Sequence, residues 1–389
     1  MGWGGFFIFK NRIEKGVVVK KRLSSIIFSI LCIGLAPISG HSACTTFVLN
    51  NNGQPIYGKN ADSEQIPSFV IVNKHGVTKK SAQQVAQEPD VKRISWTSKY
   101  GSVTFNFVAR EWPFEGINEA GLFISTMYGE GFEQDEYPEP DSRTPMSGLK
   151  LVQYQLDNYS TVKEVIASYQ SIRPYRPPKN AATPQRAAHW LVSDSTGKSA
   201  SIEFLKGKLV CHTGWTMPVK VLANSTYDHS ITYFWQQRFK NVFSPIPIPE
   251  ELRLSLDRFA VAADRVKRYK PKRSGSAVDY AFQILQDVEI SPTYHSALWS
   301  AVYDSANKQI HFRSWNNDQI RSIDLSALDY SCTTPVKVLD ISADLSGDVS
   351  NSFVNYTKEV NLEMLNHWGF PQEAIDYMSS YPDTTVCTE

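Results

Sequence analysis

What this chain lacks narrows it first. Its 389 residues hold 40 Lys+Arg against 39 Asp+Glu, so no excess of one charge marks a polyanion-binding or disordered chain. No apolar run reaches the roughly 18–20 residues that a membrane-spanning helix needs. There is no GxxxxGK[ST] loop and no GxGxxG after a strand; Gly129-Glu130-Gly131 lacks the continuation, which excludes the common nucleotide cradles. No HExxH occurs and the eight histidines are scattered without metal-ligand spacing, so neither a metal nor a cofactor is expected. Five cysteines with no CxxC pair are too few for a disulfide scaffold and wrongly spaced for zinc or redox chemistry. Repeats and low-complexity tracts are missing too. With 42% hydrophobic residues, the chain can bury a large core.

Residues 1–43 differ in kind from the rest. They carry Lys10, Arg12, Lys15, Lys20, Lys21 and Arg22 but one acid, Glu14. An apolar run from Ile26 to Ile38 follows, then Ser39-Gly40-His41-Ser42-Ala43. A basic head, a short apolar core and a small-residue exit form a secretory signal. Residues 1–43 therefore read as a removed signal peptide and 44–389 as one mature domain, periplasmic or secreted. The basic head is long for such a signal, and a start near Val17–Val19 would shorten it. Without the segment 34 basic residues face 38 acidic ones, and no nucleic-acid partner is expected.

Cleavage after Ala43 makes Cys44 the first residue of the mature protein, although His41 occupies a position where signal peptidases favour a small side chain. A rival reading takes Ser42-Ala43-Cys44 as the end of a lipoprotein signal. Cys44 would then carry lipid, and the protein would be a lipid-anchored binding or structural module of the cell envelope. Cys32 departs with the signal, leaving Cys44, Cys211, Cys332 and Cys387. Cys332 and Cys387 either bridge in an oxidising compartment or stay as two separate thiols.

After Cys44 the run Thr45–Leu49 reads as a strand, Asn50-Asn51-Asn52-Gly53 as a turn and Pro55–Gly58 as a returning strand. A turn at Asn51-Asn52 pairs residue 44 with 59; a turn at Asn52-Gly53 pairs it with 61. Both bring Lys59 and Asp62 to the new terminus. Further strands are expected at Phe69–Asn73, Ser102–Ala109 and Leu122–Met127. An acidic Pro-rich loop around Gln134–Pro145 precedes two helices between Gly148 and Tyr169, the second opened by a capping box of Thr161 and Glu164. A basic Pro-rich loop, Arg173–Arg186, leads into a meander of His189–Asp194, Ser199–Leu205 and Lys208–Thr213. The three-proline run Phe243–Glu250 reads as a loop. Helices are expected at Leu252–Tyr269, Ser276–Val288, Lys358–Asn366 and Pro371–Met378, with a hairpin of Leu298–Tyr303 and Gln309–Trp315. Strands in two batches separated by helical pairs suggest stacked sheets with helices outside, an α+β layering.

A papain-like pair of Cys44 with His189 or His295 is conceivable, but both histidines read better as structural. A terminal cysteine needs no histidine. Its α-amine, with an unperturbed pKa of about 7.7–8.0, can accept the thiol proton itself. A cation near sulfur lowers the thiol pKa, and Lys59 is placed to supply one. A carboxylate must hold the amine, and Asp62 is placed for that. Donors for the oxyanion are not identified by spacing.

The motifs Cys44-Thr45-Thr46-Phe47 and Gly58-Lys59-Asn60-Ala61-Asp62 resemble the opening of the choloylglycine hydrolase family, which includes bile-salt hydrolases and penicillin V acylases. The resemblance continues through Gly116–Leu122, His189–Asp194, Val221–Ser225, Asp257-Arg258-Phe259 and the Trp299–Asp324 region. It covers nearly all of residues 44–389. It implies a four-layer αββα sandwich of the N-terminal-nucleophile type and hydrolysis of a linear amide C–N bond in a small N-acyl substrate. Carried over, it makes Cys44 the nucleophile, Asp62 the partner of its amine and Asn224 a side-chain donor to the oxyanion. Tyr128 falls where a backbone N–H serves the same hole; tyrosine there is similar to the penicillin acylases. Arg258 matches the family's arginine near the nucleophile. Lys59 departs from the pattern, which normally has arginine; the charge stays but the planar fork of donors goes. The resemblance alone also implies a homo-oligomer, tetrameric as family members often are. Penicillin V-like amides, acyl-homoserine lactones and conjugated bile salts all fit the expected chemistry, as does acyl transfer to an amine in place of water.

Overall fold

The computed structural model describes residues 43–81, 94–128, 137–175, 188–239, 250–289, 297–381 and 385–388. The expected signal peptide up to Ser42 lies outside them, as do His295, Gly129-Glu130-Gly131 and the three prolines of the run 243–249. The first strands are β1 (Cys44–Asn51), β2 (Gln54–Asp62), β3 (Phe69–Asn73), β4 (Val77–Lys80) and β5 (Ser95–Thr97). Next come β6 (Ser102–Asn106), β7 (Glu115–Asn118), β8 (Phe123–Tyr128), β9 (Thr144–Ser147) and the helices α1 (Gly148–Asn158) and α2 (Val162–Ser168). They are followed by β10 (Ile172–Tyr175), β11 (Ala188–Ser193), β12 (Ser199–Leu205), β13 (Lys208–Thr213) and β14 (Val221–Leu222). Helices α3 (Tyr227–Arg238), α4 (Glu250–Arg268) and α5 (Ala277–Asp287) precede β15 (Ala297–Asp304), β16 (Gln309–Ser314) and β17 (Asn317–Asp324). The last elements are β18 (Lys337–Asp340), β19 (Gly347–Asp348), β20 (Val354–Asn355), α6 (Lys358–His367), α7 (Gln372–Ser380) and β21 (Val386–Cys387).

Two large sheets form, ordered β14-β1-β2-β15-β16-β17-β19 and β13-β12-β11-β8-β7-β6-β3-β18-β20. Aromatic rings fill the space between them. Tyr57 of the first sheet stacks on Phe123 of the second with centroids 4.6 Å apart, and Trp299 lies 5.5 Å from Phe105. Alternation along β2 shows how the layers are read by one strand. Lys59 turns inward, its Nζ donating to the Thr126 carbonyl of β8 at 2.7 Å, while Asn60 turns outward and donates to Leu285 of α5 at 2.8 Å. On the far side, Asn118 donates to Leu156 of α1 at 2.8 Å. The result is the expected αββα stacking. Strands buried on both faces cannot alternate apolar and polar residues, which is why β1 and β15 read as nearly continuous buried runs.

The β1–β2 turn is made by Asn52 and Gly53, both at positive φ (55° and 88°), with Asn50 Oδ1 accepting from the Gly53 N–H at 2.7 Å. This selects the second of the two registers: Cys44 faces Ala61, and Lys59 faces Thr46. Gly58 faces Phe47, and a Cβ built on it would come within 2.2 Å of the Phe47 ring. The Thr161–Glu164 capping box opens α2, and Ser276 caps α5 by accepting from the Asp279 N–H. Helix α3 was not expected from the sequence. Arg173 lies within β10 and not in a loop. Cys332 and Cys387 are joined in a disulfide, with Cα atoms 5.5 Å apart, tying β21 beside β4. Among the described residues, no helix is long and apolar enough to cross a membrane.

Because Phe47 is fully buried, its ring cannot swing away from an added methyl. Gly58→Ala should therefore destabilise the protein by about 1–3 kcal/mol. Urea unfolding measures this, and an unchanged midpoint would show that the ring has room to move.

Candidate active site

β14 pairs with β1 through Thr46–Leu222 and Phe47–Val221, and continuing that register brings residue 224 beside residue 44. Cys44 is fully buried and its backbone is held from two directions. Its N–H donates to Asn224 Oδ1 at 2.8 Å, and its carbonyl accepts from Arg258 Nη1 at 2.6 Å. Arg258 Nη1 also donates to Thr45 Oγ1 at 2.7 Å, and Nη2 to Asn224 Oδ1 at 2.7 Å. One guanidinium from α4 thus joins the first two residues of β1 to Asn224, two residues beyond β14. The Asn224 amide is oriented by this. Its oxygen takes two donors, so its nitrogen faces the other way and donates to the Tyr128 carbonyl at 2.9 Å. That nitrogen carries two hydrogens, of which the Tyr128 carbonyl takes one.

Lys59 is completely buried between the sheets. Besides the Thr126 carbonyl, its Nζ has Met127 Sδ at 3.3 Å and the face of Phe114 at 4.6 Å from the ring centroid. Asp62 ends β2, one residue beyond the one that faces Cys44. Burial raises its pKa to about 7 against the pull of Arg258 and Lys59, which favour the carboxylate. A second buried carboxyl, Glu115 of β7, is also raised to about 7 by burial, with Lys59 pulling it down and Trp299 Nε1 donating to it at 2.6 Å. The Tyr128 phenol is driven upward by burial, and its ring packs on Phe114 at 5.8 Å. The Cys211 thiol, outside the disulfide, is pushed up to about 11, chiefly by burial and then by Glu203, which leaves it a poor nucleophile. Among the described residues, no cluster of three or more His, Cys, Asp or Glu is placed to hold a metal ion.

Hydrogen bonds therefore connect Cys44, Asn224, Arg258 and Tyr128 directly, while Lys59 and Asp62 join them electrostatically. Sequence reasoning missed several supports. Ser255 Oγ accepts from the N–H groups of Asn224 and Ser225 at 3.0 and 2.8 Å. It lies three residues before Arg258 on one helix face, a spacing that could have pointed to it. Thr45 lies inside one of the motifs already noted and Glu115 directly before another, but neither carries a signal of its own. His189 has Nε2 2.7 Å from the Ala223 carbonyl, the structural role favoured for it.

The model of the linear amide C–N hydrolases of the choloylglycine hydrolase family matches residues 44–338. A penicillin V acylase from Pectobacterium atrosepticum is 28% identical over 350 residues, covering 80% of this chain and 89% of its own. A bile salt hydrolase/transferase from Clostridium perfringens is 25% identical over 48% of this chain and 54% of its own. Among solved structures, the penicillin V acylase from Agrobacterium tumefaciens superposes with a TM-score of 0.63 at 26% identity, covering 81% of this chain and 98% of that one. A conjugated bile acid hydrolase variant from Clostridium perfringens, at 19% identity and a TM-score of 0.59 over 78% of this chain and 99% of its own, shares the fold.

The raised carboxyls have a consequence for stability. Folded Glu115 keeps its proton to about pH 7, whereas the group ordinarily loses it near 4.5. The folded state thus binds the extra proton, so this residue's contribution to stability falls as pH rises from about 4.5 to about 7. Glu115→Gln should flatten the decline in urea midpoint across that window relative to the parent. Parallel pH profiles for the two proteins would mean that Glu115 is already ionised when folded.

Proposed function

The chain belongs to the choloylglycine hydrolase family and is a linear amide C–N hydrolase, and from that premise we propose that Cys44, freed at its amine by removal of residues 1–43, is the nucleophile of an exported amidase. The observation that carries this reading is the double grip on residue 44. Asn224 holds its nitrogen and Arg258 its carbonyl, so the thiol and the amine of one residue have a preset orientation. The amine takes the thiol proton, and sulfur attacks the amide carbon of the bound N-acyl substrate. Asn224 Nδ2 and the backbone N–H of Tyr128 stabilise the resulting oxyanion. The proton passes from the amine to the leaving nitrogen, the C–N bond breaks and a thioester remains on Cys44. Water then enters by the same general-base route and releases the carboxylic acid. Asp62 holds the amine, and Lys59 supplies positive charge near the thiol. Arg258 acts on geometry, through the Cys44 carbonyl and Asn224.

The Cys332–Cys387 disulfide supports an oxidising, periplasmic or secreted location. Tyr128 and the similarity to penicillin V acylases over most of the chain favour phenoxyacetyl-type amides or acyl-homoserine lactones over conjugated bile salts. The rival, a lipid-anchored envelope protein, requires the same sulfur to carry a diacylglyceryl group, which excludes nucleophilic catalysis.

Intact-mass and N-terminal analysis of protein recovered from the cell envelope should find an unmodified Cys44 as first residue. A lipid increment or any other terminus would refute the reading. Cys44→Ala should fold with an unaltered unfolding midpoint yet release no amine from penicillin V, an acyl-homoserine lactone or a conjugated bile salt. Measurable turnover by Cys44→Ala would remove Cys44 from the chemistry.

A further inference from the structure

Behind Asn224 lies a second buried pair that no step above uses. His189 of β11 and Glu203 of β12 are both essentially inaccessible. His189 Nε2 stands 2.7 Å from the Ala223 carbonyl, and Nδ1 stands 3.3 Å from Glu203 Oε1. A carbonyl only accepts, so Nε2 carries the hydrogen of that bond, while Nδ1 lies at ion-pair distance from the Glu203 carboxylate. Glu203 Oε1 also accepts from the Tyr227 N–H at 2.9 Å, at the first residue of α3. The charged carboxylate therefore sits where the helix dipole favours it. Glu203 has His212 Nε2 4.0 Å away, which in turn lies 3.5 Å from Asp228.

These contacts bracket one short segment. His189 fixes the carbonyl before Asn224, Ser255 takes the N–H groups of Asn224 and Ser225, and Glu203 takes the N–H of Tyr227. The 223–224 peptide is thus held at its oxygen by the nine-stranded sheet and at its nitrogen by α4. Its plane sets where the Asn224 side chain starts, and the window for an oxyanion donor is narrow, a few tenths of an ångström.

We propose that His189 and Glu203 are positioning residues for catalysis, acting through the Ala223–Asn224 peptide to aim the Asn224 amide at the reacting carbonyl. The inference rests on the oxyanion role proposed for Asn224. Loss of the His189 donor leaves the Ala223 carbonyl without its buried partner and frees the peptide to rotate. The cost then falls on the transition state more than on substrate binding.

The experiment is a mutant cycle on the mature enzyme, with penicillin V as substrate, or whichever of the three amides it turns over. Its variants are His189→Ala, His189→Gln, Glu203→Gln, Asn224→Ala and the double His189→Ala/Asn224→Ala. His189→Ala should lower kcat about tenfold or more with KM changed less than about threefold. His189→Gln, which keeps an N–H donor, should recover part of that loss. In the Asn224→Ala background, removing His189 should cost less than about twofold, because its effect passes through the missing amide. Equal losses in both backgrounds, or a folded His189→Gln no better than alanine, would overturn the inference and leave the Asn224 role standing. An undiminished kcat in Asn224→Ala would overturn both. If His189→Ala does not fold, Glu203→Gln and His189→Gln complete the cycle against Asn224→Ala under the same criteria.

Discussion

A buried guanidinium organises this site. Arg258 is only 5% exposed, and a cation taken so far from water is tolerated when its hydrogens meet well-placed acceptors. The acceptors it finds are the Cys44 carbonyl, Thr45 Oγ1 and Asn224 Oδ1, all within 2.7 Å. Two of these define where the first two residues of β1 sit, and the third defines which way an amide side chain faces. Satisfying a charge and fixing the geometry around Cys44 are here the same requirement. If the strand start or the Asn224 segment drifts, a buried cation loses a partner, so the penalty for misalignment is charged-group desolvation and not the loss of one neutral hydrogen bond. The αββα layering makes this work, because α4 delivers the arginine from outside the sheet in which β1 carries Cys44 and Thr45 and the neighbouring edge strand β14 leads into Asn224.

The interior around this clamp holds more charge than a packed core usually does. Lys59 and Arg258 are both buried, and so are Asp62 and Glu115, each with its pKa moved to about 7 by burial against the pull of nearby cations. The two carboxyls lie on different sheets, and both respond to Lys59, whose amine spans the gap between them. Near neutral pH each carboxyl is therefore close to its midpoint, and Lys59 favours the ionised form of both. Both carboxyls change charge in the same pH range, so pH effects there report the two together and not one residue.

Much of this could be read from the chain before its fold was known, for local reasons. The capping residues Thr161, Glu164 and Ser276 act within three or four positions, and the β12–β13 hairpin carries its own turn at Lys206-Gly207. Three consecutive asparagines before Gly53 left two registers open, and the structure decides between them by the pairing of β1 with its neighbours. Helix α3 was hidden because Thr226 makes no side-chain cap and its buried face includes Ser230 beside Tyr227, Tyr233 and Phe234, not a clean apolar stripe. Arg258 was legible only through family resemblance, since nothing in an amphipathic helix tells a clamp from a solvated charge. Glu115 and the pairing of His189 with Glu203 were illegible for another reason, and Ser255 showed only in its spacing from Arg258. Glu115 meets Trp299 only across the two stacked sheets, while His189 and Glu203, neighbours on the paired strands β11 and β12, reach Ala223 and Tyr227 only through tertiary packing.

Lys59 shows how far such packing can change the meaning of a substitution. Judged by residue type, lysine in place of arginine is a loss, because a point charge cannot reproduce a fork of donors. The surroundings of Nζ are suited to a point charge, however. One backbone carbonyl, one polarizable thioether sulfur and one aromatic face surround it, and none of these demands planar, bidentate donation. A guanidinium is wider and carries five N–H donors, so in this gap between Phe114 and β8 it would need acceptors that a ring face and a sulfur provide poorly. The lysine keeps the positive potential that Asp62 and Glu115 register, while forked donation is supplied by Arg258. In this chain the two tasks, placing charge and fixing direction, fall to different residues on different layers.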